Sequence, residues 1–319
     1  MESIDSCIRR SGYFLRRRDL LRRGYSDARI RRSLEEHRTF RVRQGWYSVP
    51  DAPPAAIQAV RVGGRLTSIS ALESYGLRVP RRPDLHIAVL ATAGRLRGPD
   101  DRRRKLESGD RVRVHWIDRP SSGGNVWRVS IDDALLAVLL EEPREIAVAS
   151  CSAVLRHRKL SSARLDAIFR RAPKRVQAWR SQVSALDDSH GETFVRLWFA
   201  DAGLPCVQQP FIAGVGLLDF KVGPHTYVEI DGGQHDPGWT GAGESTYEHD
   251  HDRDTTMAIR GDRVLRYTYR QIYGDWPRVL AAIERAIADD VALTARRLRH
   301  PYRPRAHRKR RRTGANRPL

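Results

Sequence analysis

Three short runs between residues 206 and 231 predict β-strands, namely Cys206 to Ile212, Leu217 to Val222 and Thr226 to Asp231. In the second and third runs apolar and polar positions alternate, as they do along a strand with one buried face. A helical pattern precedes them from Glu192 to Ala202, and another follows from about Tyr247 to Arg260. A fourth strand, Arg263 to Thr268, and a helix that begins at Pro277 complete the pattern. The predicted element order is therefore αβββαβα.

The first fifty residues have a different pattern, of two short helices and a hairpin. Arg17 to Arg23 predicts a helix that Gly24 ends, and Ser26 can cap a second helix. Residues 40–49 alternate around a Gln-Gly turn, which predicts a two-stranded hairpin. Two helices followed by such a wing are typical of a winged helix, which places its second helix in a DNA groove. The candidate DNA contacts are Arg29, Arg31 and Arg32 on the second helix and Arg41 and Arg43 on the wing.

The residues between these two regions predict a mixed α/β domain without a catalytic constellation. Strands are expected at Leu85 to Leu90 and Val112 to Ile117, and helices at Ile131 to Leu140 and Ser162 to Phe169. The expected fold class of the whole chain is α/β. The predicted organisation is a winged-helix-like domain at 1–55, the mixed domain at 56–175, a linker at 176–188, the αβββαβα domain at 189–292 and a disordered basic tail at 293–319.

Hydropathy and cysteine usage indicate where the protein resides. No run of apolar residues is long enough to cross a bilayer, and the N-terminus lacks an apolar secretory segment. We therefore expect a cytoplasmic protein without a membrane partner. Cys7, Cys151 and Cys206 are odd in number and far apart, which argues against a disulfide framework and against a zinc knuckle.

Positive charge is concentrated at the two ends of the chain. Of the formal net charge of +20, residues 1–43 carry +7 and residues 296–319 carry +11. Arg-rich coding would spread the charge evenly, so this polarity favours contact between the termini and nucleic-acid phosphates. The tail has no apolar face to insert into a membrane, and its charge does not distinguish DNA from RNA. Its candidate contacts are Arg308, Lys309 and Arg310.

Carboxylates converge on one face of the second and third predicted strands. Because strand side chains alternate, Asp219 and Lys221 share one face, and Glu229 and Asp231 share the polar face of the next strand. Adjacent antiparallel strands can bring the three acids into one small volume. Such acids repel one another and are costly to desolvate, and a hard divalent cation removes that cost. The pattern predicts a Mg²⁺ or Mn²⁺ site, held by Asp219, Glu229 and Asp231, that polarises a phosphodiester and activates water.

Several spaced motifs across about a hundred residues resemble the DUF559 family. They are Glu192, Leu218-Asp219-Phe220, Val228-Glu229-Ile230-Asp231-Gly232 with His235, Asp250-x-x-Arg253-Asp254, Gly261 and Val264-Leu265-Arg266-Tyr267. That family belongs with the PD-(D/E)xK nucleases and is similar to the very-short-patch repair endonucleases. The resemblance implies a restriction-endonuclease-like fold for the C-terminal domain and a metal-dependent cut in DNA.

The resemblance also implies roles for single residues. By that likeness Asp219 and Glu229 bind the metal, and Glu192 on the first helix supports the site. His235 orients or activates water, and Arg253 belongs to the signature on the closing helix. The zinc-binding cysteines of very-short-patch repair enzymes have no counterpart in this chain, so zinc is not expected.

One position departs from the superfamily pattern. The pattern has Lys two residues after the metal-binding Glu, and this chain has Asp231 there. Lys221 lies two residues after Asp219 on the neighbouring predicted strand and could substitute for the missing Lys. The departure leaves the fold expectation intact and makes activity the weaker inference.

The N-terminal region resembles a second family over about 50 residues, the winged-helix domain of AbiEi-type antitoxins. The likeness is carried by Gly12-Tyr13-Phe14-Leu15, Asp19-Leu20 and Arg43-Gln44-Gly45-Trp46-Tyr47. It implies DNA binding or regulation.

Two functions are therefore open. The first is a Mg²⁺-dependent DNA endonuclease in repair or phage defence. The second is a non-catalytic DNA-binding regulator of antitoxin type that keeps the nuclease fold as a docking scaffold. A homodimer, or a partner protein of a defence or toxin–antitoxin system, fits either. Asp219 and Glu229 favour the nuclease, because a regulator gains nothing from two acids on one polar face.

A transition-metal site built from histidines is a weaker alternative. Its candidate ligands are His235, His249 and His251. His249 and His251 are two residues apart on a predicted helix, so their side chains point in different directions. The spacing therefore argues against a shared metal.

Deleting residues 296–319 should weaken DNA binding and reduce its salt dependence. Each lost phosphate contact lowers the slope of log affinity against log salt concentration by about one unit. The measurement is a fluorescence-anisotropy titration of a DNA duplex at several NaCl concentrations, with full-length and truncated chains. An unchanged slope would refute phosphate contact by the tail.

Overall fold

The computed structural model describes residues 2–119, 123–231 and 244–299, without the side chains of 244–250, 293 and 296–299. The described residues form two compact units, one ending at Gly203 and one beginning at Leu204. Both units combine helices with small sheets, so the α/β fold class is confirmed. The boundary between them lies later than residue 189, where the sequence predicts the last domain to begin. The predicted winged-helix and middle regions share one continuous core.

The N-terminal part of the first unit combines three short helices with a three-stranded sheet. Its elements are α1 (Ile4–Arg10), β1 (Phe14–Arg16), α2 (Arg17–Arg22), α3 (Asp27–Glu35), β2 (Phe40–Arg43) and β3 (Trp46–Ser48). β3 pairs antiparallel with both β1 and β2. α3 begins where the sequence predicts because the Ser26 hydroxyl accepts a hydrogen bond from the Arg29 N–H at 3.3 Å. The two predicted helices and the wing are present, and α1 and β1 add to them.

The rest of the first unit packs helices around a second three-stranded sheet, of order β4-β5-β6. Its elements are α4 (Pro54–Val62), β4 (Arg65–Leu66), α5 (Ser68–Ser74), β5 (Leu85–Leu90), β6 (Val112–Ile117), α6 (Ile131–Glu141), α7 (Arg144–Arg156), α8 (Ser162–Arg170), α9 (Lys174–Gln177), a 3-10 helix (Ala178–Gln182) and α10 (His190–Asp201). Both predicted strands and both predicted helices of this region are confirmed. The segment predicted as a linker begins in α9, where Val176 is buried.

The second unit is built on a four-stranded sheet of order β12-β11-β10-β7. Its elements are β7 (Val207–Gln208), β8 (Phe211–Ile212), β9 (Gly216–Leu217), β10 (Phe220–Lys221), β11 (Thr226–Asp231), α11 (Glu244–Arg260), β12 (Arg263–Thr268), α12 (Tyr269–Gly274) and α13 (Trp276–Arg299). β11 is antiparallel to β10 and parallel to β12. Counted from α10, five short strands (β7 to β11) stand where three are predicted, the helix, strand and helix predicted after them are present, and α12 is an addition.

The first two predicted strands of this unit are each interrupted. Gln209 has a positive φ of 47°, which ends β7, and Pro210 has no N–H to continue a ladder. The Pro210 carbonyl instead accepts a hydrogen bond from the Leu218 N–H at 3.2 Å. β8 and β9 consequently form a separate small hairpin, and only β7 and β10 join the main sheet.

The last helix, α13, anchors the start of β11. Asp290 on α13 is buried, and its carboxylate accepts hydrogen bonds from the His225 N–H and the Thr226 hydroxyl. The helix runs to Arg299, past residue 293, where the sequence predicts disorder to begin. Among the described residues, no helix combines the length and the apolarity that crossing a bilayer requires.

A buried polar cluster lies at the sheet of the first unit. His86 on β5 and His115 on β6 are both buried, and their Nδ1 and Nε2 atoms lie 3.1 Å apart. His115 Nδ1 lies 2.7 Å from a Glu141 carboxylate oxygen, so His115 donates there and accepts from His86. Burial, together with the neighbouring His115 and Arg113, lowers the pKa of His86 to about 4. His86 is therefore neutral at physiological pH.

The pKa of His86 predicts that the chain loses stability in acid. Between pH 6.5 and about 4 the unfolded chain binds a proton that the folded His86 does not, so the free energy of unfolding falls as pH falls. His86→Gln should remove about 2 kcal/mol of this pH dependence, measured by urea unfolding from pH 7.5 to 4.5. His157→Gln, at an exposed histidine, is the control. Equal pH dependence in wild type and His86→Gln would contradict the assignment.

Candidate active site

The two predicted metal ligands lie opposite each other on neighbouring strands. In the β10–β11 ladder Phe220 pairs with Val228. Continuing that register by one residue places Asp219 across from Glu229. Phe220 and Val228 are buried on the other face, so alternation puts both acids on the polar face of the sheet.

The Asp219 carboxyl is half-buried, and its pKa lies above the ordinary value for an aspartate. Its side-chain Oδ2 accepts a hydrogen bond from the Ile230 N–H at 2.7 Å. Burial is the main cause that raises the pKa of Asp219 to about 6; the charges of Glu229 and Asp231 also raise it, while the Ile230 N–H and Arg253 oppose the rise. The Asp219 carboxyl resists ionisation because it is half-buried and because two other acids lie beside it. A bound cation would offset the repulsion among the three negative charges.

Glu229 is held by two arginines. Arg253 on α11 donates from Nη2 to Glu229 Oε1 at 2.9 Å, and Arg266 on β12 donates from Nε to Oε2 at 2.9 Å. Arg266 is placed there by the parallel ladder, in which Glu229 pairs with Arg266. The Glu229 side chain is only 15% exposed, so these ion pairs are weakly screened by solvent.

Arg266 also binds a second carboxylate. Its Nη2 lies 2.7 Å from Asp254 Oδ1 and its Nη1 lies 3.3 Å from Oδ2, a two-pronged contact. This contact raises the pKa of Arg266 and lowers the pKa of Asp254. Arg266 stands within one of the motifs that resemble the DUF559 family, and no role was predicted for it. The signal that could have found it is its place, between the apolar Leu265 and Tyr267, on the strand predicted to follow the closing helix.

The other residues of the second unit that the sequence predicts for the site are Asp231, Lys221 and His235, and the first two lie in different surroundings. Asp231 is exposed at the end of β11, where the ladder pairs it with Thr268. The Lys221 ammonium lies 5.6 Å from the centre of the Tyr227 ring, opposite it on β11. His235 lies outside the described residues, as do the side chains of His249 and Asp250.

Glu192 belongs to the first unit, on α10. It is buried, its N–H donates to the Ser189 hydroxyl at 3.1 Å, and its Oε2 accepts from the Asp188 N–H at 2.8 Å. These reciprocal bonds stabilise the start of α10. Its predicted support of the metal site stays a prediction.

The donor set partly fits a hard divalent cation. Asp219, Glu229 and Asp231 supply the carboxylate oxygens that Mg²⁺ and Mn²⁺ prefer. In the part of the chain that the structure describes, no group of three or more His, Cys, Asp or Glu side chains is arranged to hold a metal. Both carboxylate oxygens of Glu229 already accept hydrogen bonds from arginines. The residue types fit a Mg²⁺ or Mn²⁺ ion, and Glu229 would have to exchange a hydrogen bond from an arginine for the ion in order to bind it.

The predicted DNA contacts in the first unit are of two kinds. Arg31 and Arg32 on α3 are exposed, as is Arg41 on the wing. Arg29 is half-buried, with its guanidinium 5.1 Å from the centre of the Tyr25 ring. Arg43 is half-buried against Gly63, and burial lowers its pKa, with smaller effects from Arg97 and Arg16. The described surface therefore offers Arg31, Arg32 and Arg41 most directly to a ligand, and the tail residues Arg308, Lys309 and Arg310 lie outside it.

Comparison with known proteins gives little beyond this geometry. No family model matches the chain. No curated protein matches it. Among solved structures, a crystal structure of the RV2827C protein from Mycobacterium tuberculosis is similar at 12% identity and a TM-score of 0.31, covering 61% of this chain and 80% of that chain. A likeness at that score carries no argument about fold or function.

The pKa of Asp219 predicts that removing its charge stabilises the protein. A folded-state pKa of about 6, raised from 3.8, means that stability present below pH 3.8 is lost as pH rises through 6. Asp219→Asn, which still accepts from Ile230, should raise the free energy of unfolding by roughly 1–2 kcal/mol at pH 8 and by little at pH 4. Urea unfolding at both pH values measures this, with Asp252→Asn, at an exposed aspartate, as control. If Asp219→Asn has the same free energy of unfolding as wild type at pH 8, the raised pKa of Asp219 is contradicted.

Proposed function

We propose that the second unit is a metal-dependent DNA endonuclease. The observation that carries the proposal is the proximity of the acids: the Asp219 carboxylate accepts from the Ile230 N–H, next to Glu229 on β11, and Asp231 ends the same strand. An acid pair of this kind costs stability, as the raised pKa of Asp219 indicates. Neighbouring acids that lower the stability of the fold are typical of functional sites. Here the function would be the binding of a catalytic cation.

The residues that would hold Mg²⁺ or Mn²⁺ are Asp219, Asp231 and Glu229. Such an ion, when bound, polarises a phosphodiester and lowers the pKa of an attacking water. The Ile230 N–H orients the Asp219 carboxylate. Arg253 and Arg266 supply positive charge beside Glu229, where the phosphate of a substrate would lie.

The cations nearest to the acid pair are arginines, where the superfamily pattern has a Lys. An arginine stays protonated and cannot act as a general base, so it contributes by binding anions and stabilising charge. Lys221, the sequence-based substitute, lies beside Tyr227. We therefore assign the role of charge stabilisation to Arg253 and Arg266.

The first unit would hold the DNA. Its three-stranded sheet with α3 has the arrangement of a winged helix, and Arg31, Arg32 and Arg41 are exposed on α3 and the wing. Together with the basic tail this would supply sequence-independent affinity through phosphates. A role in repair or phage defence, inside the cytoplasm and with a second copy or a defence-system partner, is compatible with such an activity.

The second candidate is a non-catalytic DNA-binding regulator of antitoxin type. One observation favours it: both oxygens of Glu229 are occupied by arginines, as in a purely structural ion-pair network. In that case α11 and β12 would be joined by Glu229, Arg266 and Asp254 for stability alone.

Cleavage of supercoiled plasmid discriminates between the two. Purified full-length protein should nick or linearise the plasmid in Mg²⁺ or Mn²⁺ and not in EDTA. Asp219→Ala and Glu229→Ala should each lower the rate by at least about a hundredfold, because removal of an electrostatic catalytic group costs on that scale. Asp252→Ala, on the exposed side of α11, is the matched control and should cleave normally.

The opposite outcome is equally specific. DNA binding by all four proteins without metal-dependent cleavage would favour the regulator. Cleavage that persists in Asp219→Ala and Glu229→Ala would come from elsewhere in the preparation or chain, and the proposed site would have to be abandoned.

A further inference from the structure

Two arginines of the N-terminal sheet flank Trp46. Trp46 lies on β3, the middle strand, and pairs with Arg16 of β1 on one side and with Arg43 of β2 on the other. Side chains of directly paired residues lie on the same face of a sheet, so Arg16, Trp46 and Arg43 form one row across it. The Arg16 guanidinium lies 4.8 Å from the centre of the Trp46 ring, a contact that holds it over this face.

The end of α4 brings a third arginine, Arg97, close to this row. The Arg97 N–H donates a hydrogen bond to the carbonyl of Val62, the last residue of α4, at 3.3 Å. The Arg43 guanidinium lies against the next residue, Gly63, where a Cβ atom would stand 2.2 Å from Nη1 of Arg43. Glycine at this position leaves room for the guanidinium, so one helix end contacts both Arg43 and Arg97.

The three positive charges are not balanced by acids. Among the described residues, no carboxylate lies within ion-pair distance of Arg16, Arg43 or Arg97. Arg17, by contrast, donates from Nε to Asp27 at 3.0 Å. Burial lowers the pKa of Arg43, and the positive charges of Arg97 and Arg16 lower it as well. A group of like charges around a half-buried guanidinium attracts an anion.

The segment that carries Arg97 is held in place before any ligand arrives. Arg97 forms an antiparallel β-bridge with Lys105, and its Nη1 donates to the Arg103 carbonyl at 3.2 Å. The Gly98 N–H donates to the Arg104 carbonyl at 3.0 Å. A cation that is already positioned loses less conformational freedom on binding than a mobile one, which favours affinity for an anion.

A phosphate group is the anion that suits three guanidinium groups. Guanidinium binds phosphate oxygens through charge-assisted and often two-pronged hydrogen bonds. Arg16 is exposed, while Arg43 and Arg97 are half-buried, so a phosphate can approach from solvent and meet charges that are less screened than those of a fully exposed arginine. This arrangement favours one defined phosphate position over diffuse attraction.

We propose that Arg16, Arg43 and Arg97 together bind one backbone phosphate of duplex DNA. The site would extend the DNA-contacting surface from the wing to residues 97–105 of the middle region. The proposal rests on the part of the proposed function in which the first unit holds DNA, and it does not depend on cleavage. Duplex DNA is the expected source of the phosphate because the exposed arginines of α3 belong to the same unit.

The salt dependence of DNA binding tests whether the three arginines share one phosphate. The slope of log affinity against log salt concentration falls by about one unit for each phosphate contact that is lost. The triple variant Arg16→Gln, Arg43→Gln, Arg97→Gln should therefore lower the slope by about one unit in total. A fall of about three units would indicate three separate phosphates, and an unchanged slope would indicate none. Either result would overturn the shared site.

The single variants test the same site through affinity. Arg43→Gln should weaken duplex binding about tenfold, the size expected for the loss of a charge-assisted hydrogen bond. Adding Arg97→Gln should weaken it by less than the product of the two single effects, because both arginines act on one phosphate. Arg175→Gln, at an exposed arginine of α9, removes the same charge elsewhere in the unit and should match wild type. Fluorescence-anisotropy titrations of the full-length chains in EDTA measure these affinities without cleavage.

Thermal unfolding in inorganic phosphate tests the site without DNA. Sodium phosphate should raise the Tm of wild type above its value in NaCl of equal ionic strength, because a ligand that binds the folded chain stabilises it. The Tm of Arg43→Gln should rise less. Arg97→Gln, at a residue outside the sheets, carries the same tests if Arg43→Gln does not fold.

The outcomes separate this proposal from the proposed nuclease. A wild-type chain that binds the duplex with the expected salt slopes but does not cleave it would leave the phosphate site standing and remove the nuclease. A phosphate effect on Tm that depends on Arg43, beside unchanged DNA affinity in the triple variant, would identify a site for free phosphate and overturn DNA as its ligand.

Discussion

The second unit depends on the parallel pairing of β11 with β12. Six consecutive residue pairs join the two strands, and one of them brings Arg266 beside Glu229. The same strand, β11, pairs antiparallel with β10 and so brings Asp219 to the other side of Glu229. A shift of either register by one residue would turn Glu229 toward the core face, where Val228 and Ile230 are buried. The arrangement of acids and arginines is therefore a property of strand register.

Charged side chains in this cluster lie on successive elements. Asp219 directly precedes β10, Glu229 lies on β11, and Arg266 on β12 binds both Glu229 and Asp254 of α11. Arg253 adds a second contact between α11 and Glu229. The network joins a helix to a sheet, which offsets part of the desolvation that the half-buried groups suffer. In Asp219 the hydrogen bond and the neighbouring positive charge do not offset the effect of burial on the charged form, and its pKa is raised as a result.

The first unit buries polar side chains inside its core. Its core is continuous from α1 to α10, so the N-terminal sheet β1-β3-β2 and the sheet β4-β5-β6 are stabilised together. His86 and His115 bond to each other inside it, and Glu141 completes the chain. A neutral His86 bonded in this way can be buried at neutral pH without an unpaired charge. Because the core is shared, the wing with Arg41 is supported by residues far along the sequence.

Local pattern was enough to predict several of the elements. The strands Leu85–Leu90, Thr226–Asp231 and Arg263–Thr268 begin and end where the sequence predicts, because short runs of strand-forming residues are bounded by turn residues. Alternation also placed Asp219 and Glu229 on one polar face. The break at Gln209 and Pro210 was not predicted, although Pro210, which cannot donate to a ladder, is a signal for it.

Contacts between distant segments were decided by the tertiary structure alone. The pairing of Glu229 with Arg253 and Arg266 depends on which strands neighbour each other and on where α11 crosses them, and neither is encoded in residue spacing. The same holds for the bond between His86 and His115, which lie 29 residues apart. The sequence by itself determined which residues face together along one strand. Which strands and helices then meet depends on packing of the whole chain, and that packing decided the partners of every charge at the site.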